Sequence, residues 1–290
     1  MKNVLSRRAI ITRTALLGAA ATTAWPATAA ASPSTTEGLI DVGGANLWYW
    51  DTGGHGPAIV LAHASSGSGL NWPYQQPVFA KAGYRVIGYS RRGFYGSSLV
   101  DAANPGNAVD DLRILADTLG LGRFHLLGIA AGGITVLDFA LSYPDRLRSL
   151  TIASSVFGGV REPDFIETVE GLRPTGFDSL PVEFRELSPG YRATNPDGVA
   201  AWLALAAKAR VAGSTGRQDL VNQPSWTDLE ALRVRTLLIT GDADLYMPPQ
   251  LLRTIAEHFP RKQVSVIAEA GHATCWEQPT RFNRTVLDFL

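Results

Sequence analysis

The chain has 290 residues, 46% of them hydrophobic, and no formal net charge. That length suits one large domain or a domain with an insertion, and the neutral balance without a basic block excludes nucleic acid as the expected partner. A single cysteine, Cys275, excludes an intramolecular disulfide, and five scattered histidines without HxH or HxxxH spacing give no metal site.

The first 31 residues read as an export signal rather than as part of the fold. Ser6-Arg7-Arg8-Ala9-Ile10-Ile11 resembles a twin-arginine signal, and an Ala-rich apolar run follows from Ala15 to Ala24. Ala27-Thr28-Ala29 and Ala29-Ala30-Ala31 both suit a small-residue cleavage site. The run is too short and too Ala-rich for a stable membrane span. The expected location is therefore periplasmic or extracellular.

A polar linker is expected near Ser32 to Glu37, ahead of a strand at Leu47 to Trp50 and a turn at Gly53-Gly54-His55-Gly56-Pro57. Ala58 to Ala62 is a continuous apolar run, the mark of a strand buried on both faces. Further strands are expected at Tyr84 to Tyr89, Phe124 to Leu127, Leu147 to Ala153, Thr236 to Thr240 and Val264 to Ile267. Helical periodicity separates them: Val109, Leu112, Leu115, Ala116 and Leu119 share one face, as do Val136, Phe139, Ala140 and Tyr143. Strands alternating with helices predict an α/β fold with a mostly parallel twisted sheet and helices on both faces. The alternation breaks between about Ser155 and Leu229, with one helix expected at Asp197 to Val211. The expected organisation is core 35–154, an inserted helical cap 155–229, and core 230–290.

Four motifs follow these strands in order. His63-Ala64-Ser65-Ser66-Gly67 leaves a buried strand, and Tyr89-Ser90-Arg91-Arg92-Gly93-Phe94-Tyr95-Gly96-Ser97-Ser98 leaves the next. Gly128-Ile129-Ala130-Ala131-Gly132-Gly133 has the strand–turn–helix setting of a nucleophile elbow, a Gly-x-Nuc-x-Gly turn whose central position carries the attacking group. Gly241-Asp242-Ala243-Asp244 ends a strand, and Ala270-Gly271-His272 follows about thirty residues on, with Glu277-Gln278-Pro279 behind it.

This order resembles the α/β-hydrolase superfamily, in its capped esterase, haloperoxidase-like and epoxide-hydrolase-like branch, from about Gly38 to Leu290. The resemblance implies a triad of nucleophile, Asp244 and His272, with Asp242 ordering the acid loop. It implies oxyanion donors at the amides of Ser65 and Ala131, the second at a helix N-terminus that favours negative charge. Two departures stand outside the triad: Ala64 replaces a usual Gly in the oxyanion loop, and Ser90 a usual Asp in a loop that is structural in the family. The third is decisive for chemistry, because Ala130 occupies the nucleophile position and a methyl group cannot attack.

Ordinary acyl-enzyme turnover is then not expected, since removing such a serine lowers turnover about a millionfold. Ser65, Ser66, Ser90 and Cys275 are not placed to substitute. Three readings stay open: an esterase or lactonase scaffold in which Ala130 stands for an original serine, inactive or trapped; a nucleophile-free enzyme whose His272–Asp244 dyad is a general base; or a binding protein for a small ligand. Trp72, Phe94, Tyr95, Trp202, Tyr246 and Met247 are the expected pocket walls, suited to a small apolar ester, lactone or ketone. No phosphate loop, dinucleotide fingerprint or flavin motif is present, and no cofactor is expected.

Overall fold

The computed structural model describes residues 35–155, 160, 162–173, 175–214 and 216–290. The predicted export signal and its cleavage site lie outside the described residues. Eight strands form one sheet: β1 (Thr36–Asp41), β2 (Asn46–Asp51), β3 (Ala58–Ala62), β4 (Arg85–Tyr89), β5 (Phe124–Ile129), β6 (Leu147–Ala153), β7 (Thr236–Gly241) and β8 (Lys262–Ile267). Their spatial order is β1-β2-β4-β3-β5-β6-β7-β8. The β1–β2 and β2–β4 pairs are antiparallel and the remaining pairs are parallel.

The central strands are buried along their whole length because both faces are covered. Every residue of β3, β5 and β7 is buried, which is why they read as unbroken apolar runs. Helices α1 (Gln76–Lys81), α2 (Ala108–Thr118) and α3 (Ala131–Ser142) connect the first half of the sheet. One core packs Leu112, Leu115, Val136 and Phe139 against Val60, Phe124 and Leu150. The other packs Ile59, Leu61, Leu127 and Ile239 against Phe79, Phe282 and Val286.

Between β6 and β7 lies the helical insert: α4 (Pro163–Gly171), α5 (Val182–Glu186), α6 (Pro189–Thr194) and α7 (Pro196–Ala207). The helix expected at Asp197 to Val211 is thus α7, which ends four residues earlier. Pro196 starts it, and the Asn195 side chain accepts from Gly198 N–H at its N-terminus. Then come α8 (Trp226–Ala231), α9 (Pro249–Glu257), α10 (Thr274–Glu277) and α11 (Pro279–Phe289). No helix among the described residues is long and apolar enough to cross a membrane.

The polar linker expected near Ser32 to Glu37 needs correction at its end, because Thr36 and Glu37 open β1. This edge strand is largely solvent-exposed, so its hairpin with β2 carries no apolar run for periodicity to detect.

Candidate active site

The site is assembled at the C-terminal ends of β3, β5, β7 and β8. Strand β5 ends at Ile129, and α3 begins at Ala131. Ala130 joins them with φ 52° and ψ −117°, a conformation that L-residues rarely adopt. Such a backbone costs on the order of 1–3 kcal/mol and persists only where its surroundings hold it. Here Ala130 N–H donates to the Ala153 carbonyl at 2.9 Å, and Gly133 N–H donates back to the Ala130 carbonyl at 2.9 Å. Close approach demands the glycines. A Cβ on Gly132 would run into the backbone oxygens of Ala62 and His63, and one on Gly128 would meet the Gly132 carbonyl. The sequence therefore builds a sharp elbow and seats a methyl group on it.

Asp244 lies in the loop after β7 and is 3% exposed. Its Oδ1 accepts the Tyr246 and Met247 N–H groups at 2.8 and 2.9 Å. His272, in the loop after β8, brings Nδ1 to 2.9 Å from Oδ1 and 3.0 Å from Oδ2 of Asp244. Bonding at Nδ1 leaves Nε2 as the ring's free edge, and no protein group hydrogen-bonds it among the described residues. Burial raises the Asp244 carboxyl, but the imidazolium beside it and its N–H donors outweigh that and hold it below the usual range. Burial likewise lowers His272, and the Asp244 charge overcomes it, leaving the imidazole above its ordinary value. The two directions agree: each group favours the charged form of the other.

The histidine loop is clamped from behind. Glu277 is fully buried, and its two carboxylate oxygens accept Gly271 N–H at 2.9 Å and Ser188 N–H at 2.8 Å. One side chain thus fixes both the residue before His272 and the start of α6. Asp242, by contrast, is exposed, and its Oδ1 accepts Ala270 N–H at 3.3 Å.

Two cavities meet at Ala130, and both are lined by Ala130, Glu186 and His272. The inner one, about 20 Å³ and so little larger than a water site, is walled by Trp72, Trp202, Trp276, Ile129 and Cys275. The outer one, about 150 Å³, adds Ser65, Ala131, Ile134, Arg173 and Tyr246. Only the outer one has the size that holds a small organic molecule. Ala131 is the first residue of α3, where helix geometry leaves the amide without an intrahelical partner. The Tyr246 ring packs on His272 with centroids 4.5 Å apart.

The structure gathers most of the sequence-predicted residues. Ala130, His272, Ser65, Ala131, Trp72, Trp202 and Tyr246 line the cavities, with Asp244 behind His272. Phe94, Tyr95 and Met247 line neither. Phe94 packs its edge on His63 at 4.6 Å and carries Arg91 and Arg210 over its ring at 4.9 and 4.7 Å. Tyr95 packs on Trp48 at 5.0 Å. Met247 is buried in the core and meets the site through its N–H to Asp244 and through the Thr240 hydroxyl, which donates to the Met247 carbonyl and to Asp244.

His63 is a structural residue. Its Nε2 accepts Arg91 N–H at 3.1 Å, which assigns the proton to Nδ1, 2.7 Å from the Ala64 carbonyl. Burial, then Arg91, lowers its pKa well below the ordinary value. Ser90, in the place of the family's Asp, accepts Gly69 N–H at 3.0 Å and keeps that loop fixed.

Sequence reasoning missed two cap residues. Glu186 ends α5, is 8% exposed, and receives the Ser66 hydroxyl on Oε2 at 2.7 Å. Arg173 follows α4; its guanidinium lies 5.2 Å from the Tyr246 ring centroid, and its buried Nε has no hydrogen-bond partner among the described residues. A second buried donor without a partner, Trp72 Nε1, belongs to the inner cavity wall.

The sheet order, the helical insert and the elbow–acid–histidine sequence define a class of fold, and comparison with known proteins places the chain in it. Residues 57–279 match the model of the alpha/beta hydrolase fold family, and the chain belongs to that family. A 2-hydroxy-6-oxononadienedioate/2-hydroxy-6-oxononatrienedioate hydrolase of Burkholderia vietnamiensis is 29% identical, over 83% of this chain and 90% of that protein. A putative non-heme chloroperoxidase of Synechocystis is 29% identical, over 89% of this chain and 99% of that protein. Among solved structures, a thermophilic esterase from Thermogutta terrifontis superposes with a TM-score of 0.72 at 25% identity, over 88% of this chain and 97% of that one.

Proposed function

We propose that the chain is a hydrolase-family enzyme that acts on a small carbonyl compound, an ester, lactone or ketone, without forming an acyl-enzyme. His272, oriented by Asp244, moves the proton. The Ser65 and Ala131 amides receive the charge that develops on oxygen. The observation that carries this reading is the His272 edge: Nδ1 is committed to Asp244, which leaves Nε2 for a substrate, and His272 lines both cavities together with Ala130.

No other side chain supports a covalent route. Burial pushes the Cys275 thiol up to about 12, which leaves it protonated and a poor nucleophile. The Ser66 hydroxyl is donated to Glu186 rather than to His272. Ser65 lies on an exposed stretch of its loop.

The substrate side of the proposal rests on the walls. Three tryptophans make the inner wall apolar, and the outer cavity has the room for the body of a small substrate. Arg173 in the outer cavity suits a carboxylate, the group that the names of the Burkholderia-type relatives also carry. Oxyanion donors and binding alone retain roughly 10³–10⁴-fold acceleration over water in enzymes stripped of their nucleophile. General-base action by His272 adds to that.

The test is hydrolysis of 4-nitrophenyl acetate by the chain as it stands and by His272→Ala. The histidine variant should be slower by about 10²-fold or more. Equal rates for the two proteins overturn the proposal.

A further inference from the structure

Glu186 and Glu277 are both buried carboxylates beside the histidine loop, yet they are used differently. Both oxygens of Glu277 accept backbone N–H groups, the arrangement of a structural brace. Glu186 has one oxygen occupied, by Ser66, and no hydrogen bond to Oε1 among the described residues. The backbone of Glu186 is fixed to the loop it faces, because its carbonyl accepts Ala273 N–H at 3.0 Å. Its carboxylate lines both cavities together with His272 and Ala130.

We infer that Glu186 is a second acid–base group of this site, the proton acceptor working opposite His272 on a carbonyl compound with an acidic C–H next to the carbonyl. The inference rests on the proposed function and extends it to a reaction class, a proton-transfer isomerisation.

The bookkeeping of the step closes without a co-reactant. Glu186 Oε1 takes the α-proton, and the C–H electron pair becomes the carbon–carbon double bond of an enolate. The carbonyl π pair settles on oxygen, held by the Ser65 and Ala131 amides. His272, as imidazolium, gives its Nε2 proton to the enolate oxygen or to the far carbon of a conjugated system. The proton on Glu186 then returns to His272 across the cavity that both line. Nothing is oxidised, and no group leaves. The charges fit these roles: Asp244 and then Glu186 and Glu277 are the negative groups that favour imidazolium at His272 against its burial. The methyl group of Ala130 fits as well, since a serine hydroxyl at that place would compete for Nε2.

Phenylpyruvate is a suitable probe. Its ring is about the size the outer cavity holds, its carboxylate matches Arg173 in the same cavity, and its benzylic C–H is acidic. The experiment follows hydrogen–deuterium exchange at that carbon in D₂O by proton NMR, with binding read separately from tryptophan fluorescence. The parent chain should speed exchange over buffer. Glu186→Gln should lower the enzyme-catalysed rate by about 10²-fold or more while leaving affinity within about threefold, the size of a general-base effect. Glu186→Asp keeps the carboxylate and should retain part of the rate, which covers the case in which the amide variant does not fold.

Parent-like exchange by folded Glu186→Gln overturns the inference. So does an absence of catalysed exchange in the parent chain. If His272-dependent hydrolysis of 4-nitrophenyl acetate persists in that second case, the proposed function stands and the inference alone fails. If both are absent, both fail.

Discussion

Ala130→Ser should convert this protein into an acyl-enzyme esterase. The substitution adds one hydroxyl oxygen at the elbow and asks little else of the chain. The backbone already holds φ 52°, ψ −117° there, and the side chain, though part of the buried apolar core, borders both cavities, so stability should change by about 1 kcal/mol or less. The general base is already oriented, with Nδ1 2.9 and 3.0 Å from the Asp244 oxygens and Nε2 free. Removing a serine from such a unit lowers turnover by about 10⁶. Restoring it where the partners are in place should raise the turnover of 4-nitrophenyl acetate by about 10³ to 10⁶, which is roughly 4–8 kcal/mol of transition-state stabilisation. Stopped-flow release of nitrophenol should then show a burst followed by a slower steady state. A folded serine variant that is no faster than its parent would refute the geometry, because it would mean that Nε2 does not face residue 130.

Two further predictions follow from buried charges. Folded His272 has a raised pKa, so its contribution to stability is full below the unfolded value of 6.5 and fades as pH rises through the folded value; Asp244 is lowered, so its contribution is full above 3.8 and fades on acidification through its folded value. The pair therefore supports the fold most strongly between those two pH values. The difference between parent and His272→Ala urea curves should be largest there, and a flat difference would contradict it. Taking the difference also cancels His63 and His125, whose lowered folded values give contributions present above 6.5 and lost on acidification. Arg92 and Asp111 form a buried bidentate pair at 2.8 and 2.7 Å, each about 5% exposed or less, and Asp111 also accepts from Gln218 at 2.9 Å. Arg92→Ala strands that carboxylate and should cost about 3–5 kcal/mol in chemical denaturation; a loss under about 1 kcal/mol would contradict the pairing.

The core of the fold was legible because burial writes itself into composition. Strands β3 and β6 occupy the residues that their apolar runs indicate, Ala58–Ala62 and Leu147–Ala153. Strand β1 was not, since an exposed edge hairpin needs no apolar pattern. The elbow, Asp244 and His272 were legible through the turns that carry them, where glycine and loop chemistry fix the spacing. Glu186 and Arg173 were not. Glu186 meets Ser66, its partner 120 residues away, only once the insert folds over the sheet, and its local sequence, Val182–Glu186, is an ordinary short polar helix. Phe94 and Tyr95 show the opposite error. Their aromatic character and position after β4 suggested a pocket wall, but His63, the arginines and Trp48 draw both rings into loop packing.

The central claim is that this site moves protons without a covalent intermediate, and intact-mass spectrometry after mixing with 4-nitrophenyl acetate tests it most directly. Ala130→Ser should carry an acetyl group on the peptide that contains residue 130. The parent chain should release nitrophenol in a His272-dependent way and carry none. An acetyl group on the parent protein, on Ser65, Ser66 or Cys275, would contradict the account.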